Sequence, residues 1–146
     1  MTKSDDGLID KTDFENSTWN NWKKTEANQP GDIVSRNGNY CASFSVSDIL
    51  NTTLRKSWEL KLDTYYTLIF KLQTSSENNH YSTKWNDQDM EKNTPIPVGS
   101  TWTTASVPFK TSPFGVPTED TIDLTIERGT ADNVVLLDNL ELYEFN

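Results

Sequence analysis

The chain has 146 residues, 34% hydrophobic and 11% aromatic, with a formal net charge of −9. That length suits one domain with its own core, modest in aliphatic content and rich in rings. The negative charge argues against nucleic acid or an anionic membrane as partner, since both need a positive footprint; neutral ligands, cations and basic proteins remain.

Cys41 is the only cysteine and His80 the only histidine. An intrachain disulfide is therefore impossible, and a zinc centre of the usual Cys/His kind is not expected. Cys41 stands in the apolar run "YCASF" and reads as core. No apolar run approaches the ~20 residues that span a bilayer. The opening "MTKSDDGLID" has no apolar stretch of the secretion-signal kind. Either release is by another route, or the chain is a module of a larger secreted protein.

In chain order, residues 1–7 read as a flexible lead-in and 8–146 as a single domain. "GDIVSRNGNYCASFSV" reads as strand, Asn37-Gly38 turn and strand, with Tyr40, Ala42, Phe44 and Val46 on one face. "SVSDILNTTL" allows one helical turn at most. In "WELKLDTYYTLIFKLQT", Trp58, Leu60 and Leu62 share a face. After a turn at Asp63-Thr64, Tyr66, Leu68, Phe70 and Leu72 resume it. "SSENNHYSTKWNDQDMEKNTPIP" is the least apolar stretch. It is expected to hold a weak strand over His80–Trp85, then a long loop closed by Pro95 and Pro97.

"TWTTASVPF" is a further strand led by Trp102. "TIDLTIERG" alternates, with Ile122, Leu124 and Ile126 inward and Asp123, Thr125 and Glu127 outward. The last strand, "VVLLDNLELYEF", turns Leu140 and Leu142 inward and Glu141 outward. No window sustains a 3.6-residue stripe. Short alternating runs between turn residues predict an all-β antiparallel sandwich, and closure into a jelly roll limits exposed edges.

Several of these pieces in order carry a resemblance. They are the triplet "DFE" followed by a Trp, the strand with Gly38 and Tyr40, "TYYTLIFKLQTSS", "WTTASVPF" and "LLDNLELYE". From about Leu8 to Phe145 the chain resembles carbohydrate-binding modules of the family 4, 9 and 22 type, a galactose-binding-domain-like β-jelly roll. It departs from them at Asp63-Thr64 and at Asn21, where glycine is common. Proteins of this fold also serve as bacteriophage tail appendages. The resemblance thus implies an extracellular or virion setting. The implied partners are a polysaccharide or cell-surface glycan and a parent enzyme or phage tail or baseplate protein.

The resemblance further implies one structural calcium tying the N-terminal segment to the last strand. Glu15 and Asp138 match its side-chain positions, and carbonyls near Asp13, Arg36 and Asn39 complete it. Calcium takes six to eight oxygens. Asp138 stands among Leu136, Leu137 and Leu140, where an unpaired carboxylate is costly. The alternative is that Asp138 pairs with Arg36 or Lys11 while Glu15 is solvated. The acidic run Asp87, Asp89 and Glu91 lacks the glycine and terminal glutamate of an EF-hand loop and reads as solvated.

A pyranose has an apolar C–H face and a hydroxyl rim, so its site needs an exposed ring beside amides and carboxylates on a rigid sheet. Trp22, Trp58 and Trp102 read as packing residues, and Trp19, in "NSTWNN", as the freer one. Trp85 is the expected stacking residue, with Tyr81 and His80 beside it. Tyr65 faces away from the core. Glu127, Thr125 and Arg128 are the expected rim.

No nucleophile elbow, phosphate-cradling glycine loop or HExxH motif is present, and an enzyme is not expected. Two readings remain: a glycan-binding module with structural calcium, and a structural or protein-binding jelly roll such as a phage-tail or adhesin component.

Overall fold

The computed structural model describes residues 7–44, 51–115, 119–129 and 133–145. Among them are eleven strands and no helix: β1 (Leu8–Thr12), β2 (Lys23–Lys24), β3 (Asp32–Arg36), β4 (Asn39–Phe44), β5 (Thr52–Glu59), β6 (Tyr65–Thr74), β7 (His80–Trp85), β8 (Gln88–Pro95), β9 (Thr103–Lys110), β10 (Glu119–Glu127) and β11 (Val135–Phe145). One sheet runs β3-β4-β11-β6-β9, with β1 also on β11; the other runs β2-β5-β10-β7-β8. All strand pairs are antiparallel, and the two sheets face each other as a β-sandwich of jelly-roll type.

The core is built by alternation. Tyr66, Leu68, Phe70 and Leu72 of β6, Val107 and Phe109 of β9, and Ile122, Leu124 and Ile126 of β10 are buried. Strand β11 keeps Val135 and Leu137 inward, then Leu140 and Leu142, a change of parity. A bulge makes the change: the register with β6 shifts between Asp138 and Glu141, and Asn139 takes a positive φ of 52°. The extra residue re-aims the strand and leaves Asp138 on the outer face of the first sheet.

The Asn37-Gly38 turn forms as expected. Both residues have positive φ (52° and 85°), as the two-residue turn joining Arg36 to Asn39 requires. Gly7 also needs its freedom. At φ +92° a side-chain Cβ there would lie 2.5 Å from the Glu144 carbonyl oxygen. The Gly7 carbonyl accepts the Glu144 N–H at 2.7 Å, so this residue is pinned to the sheet and is not part of a flexible lead-in. Residues 1–6, Val46 and most of the expected helical turn lie outside the described residues.

Two expectations are corrected. The long loop after Trp85 is the strand β8, joined to β7 by a two-residue turn at Asn86 (φ 48°) and Asp87 (φ 65°). Its sequence, QDMEKNTP, lacks apolar alternation because β8 is an edge strand, and exposed charge on an edge blocks further pairing. The strand carrying Trp58 starts at Thr52 and ends at Glu59. An inward lysine hides its start. Lys56 sits in phase with Leu54 and Trp58, and its ammonium reaches Asp10 and the Asn20 carbonyl, both at 2.5 Å.

Candidate functional site

The strands β7 and β10 carry most of the residues expected to hold a saccharide, and they turn the rings inward. Tyr81, Thr83 and Trp85 alternate with the outward Ser82 and Lys84. Tyr81 is buried against Phe70, ring centroids 5.2 Å apart, and its hydroxyl donates to Glu91 at 2.8 Å. Burial and the Glu91 hydrogen bond push the Tyr81 phenol up to about 12. Trp85 is half-buried. Its ring lies 5.9 Å from Phe109 of the opposite sheet, and its indole N–H donates to Asp120 at 3.0 Å. Asp120 also accepts from Asn86 at 2.9 Å, which locks the β7–β8 turn.

Among the described residues the outer face of this second sheet consequently carries no tryptophan, tyrosine or phenylalanine, and the His80 imidazole stands only at its end. In register across it run Lys23, Arg55, Asp123, Lys84 and Asp89, one from each strand. Arg55 grips Asp123 through Nε and Nη2 at 2.7 and 2.9 Å. The flanking rows are hydroxyl pairs, Thr53 with Thr125 and Ser57 with Thr121, each 2.8 Å apart. His80 and Glu127 stand opposite each other at the end of the face, with the Asn93 side-chain amide 3.0 Å from Glu127.

The outer face of the first sheet differs. Trp102, just before β9, is 39% exposed. It walls a cavity of about 300 Å³ with Arg36, Asn39, Gln73, Leu136 and Asp138. A second hollow of about 340 Å³ shares Arg36, Gln73 and Leu136 and extends toward Ser75 and Gly99, so the two form one trough. Gln73 donates to the Ser100 carbonyl at 2.5 Å, tying the Trp102 loop to β6. The trough offers an open indole, a guanidinium, amides and a carboxyl group over an apolar floor of Leu136 and Cys41. Each of its two hollows is at the small end of the range for ligand sites.

Asp138 lies where this trough meets the N-terminal loop. Burial first, then the neighbouring Glu15 and Asp13 carboxylates, push its acid up to about 6. Among the described residues no ion pair joins it to Arg36 or Lys11. Its Oδ1 accepts the Asn139 N–H at 2.8 Å, and Glu15 Oε2 accepts the Tyr40 N–H at 2.7 Å. Each carboxylate keeps one oxygen uncommitted. Among the described residues no cluster of three or more His, Cys, Asp or Glu side chains converges on one point, so a hard cation here needs backbone carbonyls for most of its shell.

No family model matches this sequence, and no curated protein sequence does either. Solved structures do. The module TmCBM61, solved in complex with beta-1,4-galactotriose, superimposes at TM-score 0.73 over 91% of this chain and 94% of its own, with 15% identity. The CBM22-1 xylan-binding domain of Paenibacillus barcinonensis gives TM-score 0.67 at 12% identity over 94% of both chains. Tailspike protein 4 of bacteriophage CBA120 gives 0.63 at 13% identity, over 91% of this chain and 20% of that one. The fold is a carbohydrate-binding-module-like β-jelly roll.

On this jelly roll the expected site residues do not share one surface. Tyr81 and Arg128 are buried, 7% and 4% exposed, and cannot meet a ligand; Arg128 follows the last outward residue of β10 and falls inward. Tyr65 is 58% exposed but lies on the first sheet, beside Phe145 and under the Lys110 ammonium, away from Trp85. Trp19 packs edge-on against Phe14 at 5.4 Å. Trp22 is core, as expected, and meets Trp58 at 5.5 Å. Of the calcium candidates, Arg36, Asn39 and Asp138 line one cavity, and the Glu15 and Asp13 carboxylates act electrostatically on Asp138.

Trp102 was expected to pack and Gln73 was not singled out, yet both line the trough, and the signal for Trp102 was in the phase. Ala105, Val107 and Phe109 set odd positions inward, which puts Trp102 on the outer side. A smaller test concerns Tyr81. Tyr81→Phe removes one buried hydrogen bond to a carboxylate and should cost about 1–2 kcal/mol in urea unfolding, without affecting any ligand.

Proposed function

We propose that this chain is a non-catalytic glycan-binding module that takes a saccharide in the trough around Trp102. One observation carries the reading: an open indole beside amide, guanidinium and carboxyl groups on a rigid sheet, in a fold shared with sugar-binding modules over nearly their full length. The indole supplies the face for the sugar's C–H side, and Arg36, Gln73 and Asn39 supply partners for its hydroxyls. Galactan and xylan are the first polymers to try, from the ligands named for the two modules above. Native gels cast with each should retard the protein. Unchanged mobility in both, and in a wider polysaccharide panel, would count against the reading.

A structural calcium belongs to the same proposal. Glu15 and Asp138 fit a hard cation as oxygen donors with an uncommitted oxygen each, and the carbonyls of Asp13, Arg36 and Asn39 are the remaining candidates. Bound there, calcium would neutralise the repulsion around Asp138 and cross-link the N-terminal loop to β11. The test is a change of sign. In chelator, Asp138→Asn relieves a desolvated charge and should raise Tm; in millimolar calcium it removes a ligand and should lower Tm. The pH dependence follows. A carboxyl whose folded pKa is raised gives stability that is complete below its unfolded value near ~4 and lost as pH rises through about 6. The metal-free protein should thus gain stability on acidification across that window, and calcium binding should weaken there.

The outer face of the second sheet, without tryptophan, tyrosine or phenylalanine among the described residues and with Arg55 held by Asp123 between hydroxyl pairs, favours a second reading, a structural or protein-binding jelly roll in a larger secreted or phage-tail protein. A pull-down partner with no glycan response would support it. Both readings place the chain outside the cell or on a virion.

A further inference from the structure

A protein of net charge −9 gathers cations at one edge of its second sheet. A pocket of about 420 Å³ is lined by Asn21, Lys23, Lys24, Arg55, Lys56, Ser57 and Glu119, among others. The Lys56 ammonium is engaged by Asp10 and Arg55 is held by Asp123, but the Arg55 side chain still keeps 51% of its surface open. Lys23 and Lys24 have no acidic partner among the described residues. Glu119 is the one carboxylate in the lining. Four cations thus stand against the carboxylates of Glu119, Asp10 and Asp123, a small local excess of positive charge on a chain whose total is −9.

We propose that this pocket binds the anionic group, a carboxylate or phosphate ester, of an acidic saccharide. The proposal rests on the glycan-binding reading but on a different site. The unpaired Lys23 ammonium and an open guanidinium edge on the outer face supply charge-assisted donors, and Lys24, in register with Leu54, adds a second charge at the sheet edge. Asn21 and Ser57 supply neutral partners for the flanking hydroxyls, and no aromatic ring enters the lining. Densely charged polymers such as nucleic acid meet the repulsion of the whole molecule. A chain with one anionic group per sugar or fewer meets it less, so the acidic saccharide is the favoured occupant. The pocket and the Trp102 trough lie on different sheets, so an acidic polymer would be held by charge at one and by stacking at the other.

The test is calorimetric titration with oligogalacturonate, for the carboxylate, and a phosphomannan, for the phosphate, each at 50 and 500 mM NaCl. A neutral β-1,4-galactan oligosaccharide is the control. The Lys23→Gln/Lys24→Gln variant should lose about tenfold or more in affinity for the anionic ligand at low salt, with neutral-ligand binding unchanged. Lys23→Gln alone, at an exposed position, should show part of this loss if the double variant melts early. Glu119→Gln should bind the anion several-fold more tightly. Lys92→Gln, an equal charge change on the opposite edge strand β8, should have no effect. The proposal is overturned if neither anionic ligand binds better than the neutral one, or if Lys92→Gln weakens binding as much as Lys23→Gln. A single-stranded DNA oligomer competing equally for the pocket would overturn the saccharide assignment. Loss of neutral-glycan binding in Trp102→Ala, with anion binding retained, would separate this site from the trough.

Discussion

Trp85→Ala should lower stability by about 3 kcal/mol, near 10 °C in Tm for a domain of this size, and leave saccharide binding intact well below the melting transition. The ring lies 5.9 Å from Phe109 across the sandwich, and its N–H serves Asp120, which also holds the Asn86 turn. Truncation therefore opens a cavity between the sheets and removes a donor from a carboxylate that is only 9% exposed. Trp85→Phe keeps much of the volume and loses the donor, so about 1–2 kcal/mol is expected. Thermal melts of both variants decide between packing and ligand roles. An unchanged Tm with lost glycan binding in Trp85→Ala would mean that the indole faces a ligand.

Trp102→Ala should do the opposite. The ring is 39% exposed and closes one wall of the trough, so its loss costs the fold little. Stacking on a sugar face adds to plain area burial, and affinity should fall at least about tenfold while Tm moves by no more than roughly 2 °C. Gln73→Ala should act in the same direction by freeing the Trp102 loop from β6, to which the Gln73–Ser100 hydrogen bond holds it. A large Tm loss in Trp102→Ala, or unaltered affinity, would show that the indole is only a lid on the sheet.

The fold was legible because its local signals agree. Asn37-Gly38 supplies two residues at ease with positive φ, and Tyr66 to Leu72 and Ile122 to Ile126 alternate without interruption. What escaped were places where alternation carries no apolar label. Strand β8 is polar on an edge, and its turn is Asn86-Asp87 without a glycine. Strand β5 hides behind Lys56, a charge buried beside Asp10. The bulge at Asn139 reverses parity in β11 with nothing in its sequence but an asparagine.

The site was harder to read because composition misled. A polar neighbourhood around Trp85 suggested exposure, yet the phase set by Tyr81 and Thr83 turns that ring toward Phe109. Trp102, just before β9, continues that strand's outward phase, and a strand-leading Trp is easily taken as packing. Asp138 was readable as a charge among leucines, and the structure adds its neighbours Glu15 and Asp13. The acidic total likewise concealed the local cluster of Lys23, Lys24 and Arg55.

The central claim is that a sugar lies against Trp102 on the outer face of the first sheet. A ¹⁵N-resolved NMR titration with galactan and xylan oligosaccharides tests it most directly. The account predicts that the Trp102 indole N–H and the Gln73 and Asn39 amides shift together with a single affinity, while the Trp85 indole stays still. Shifts centred on β7 and β10, or a spectrum indifferent to every glycan tried, would contradict it.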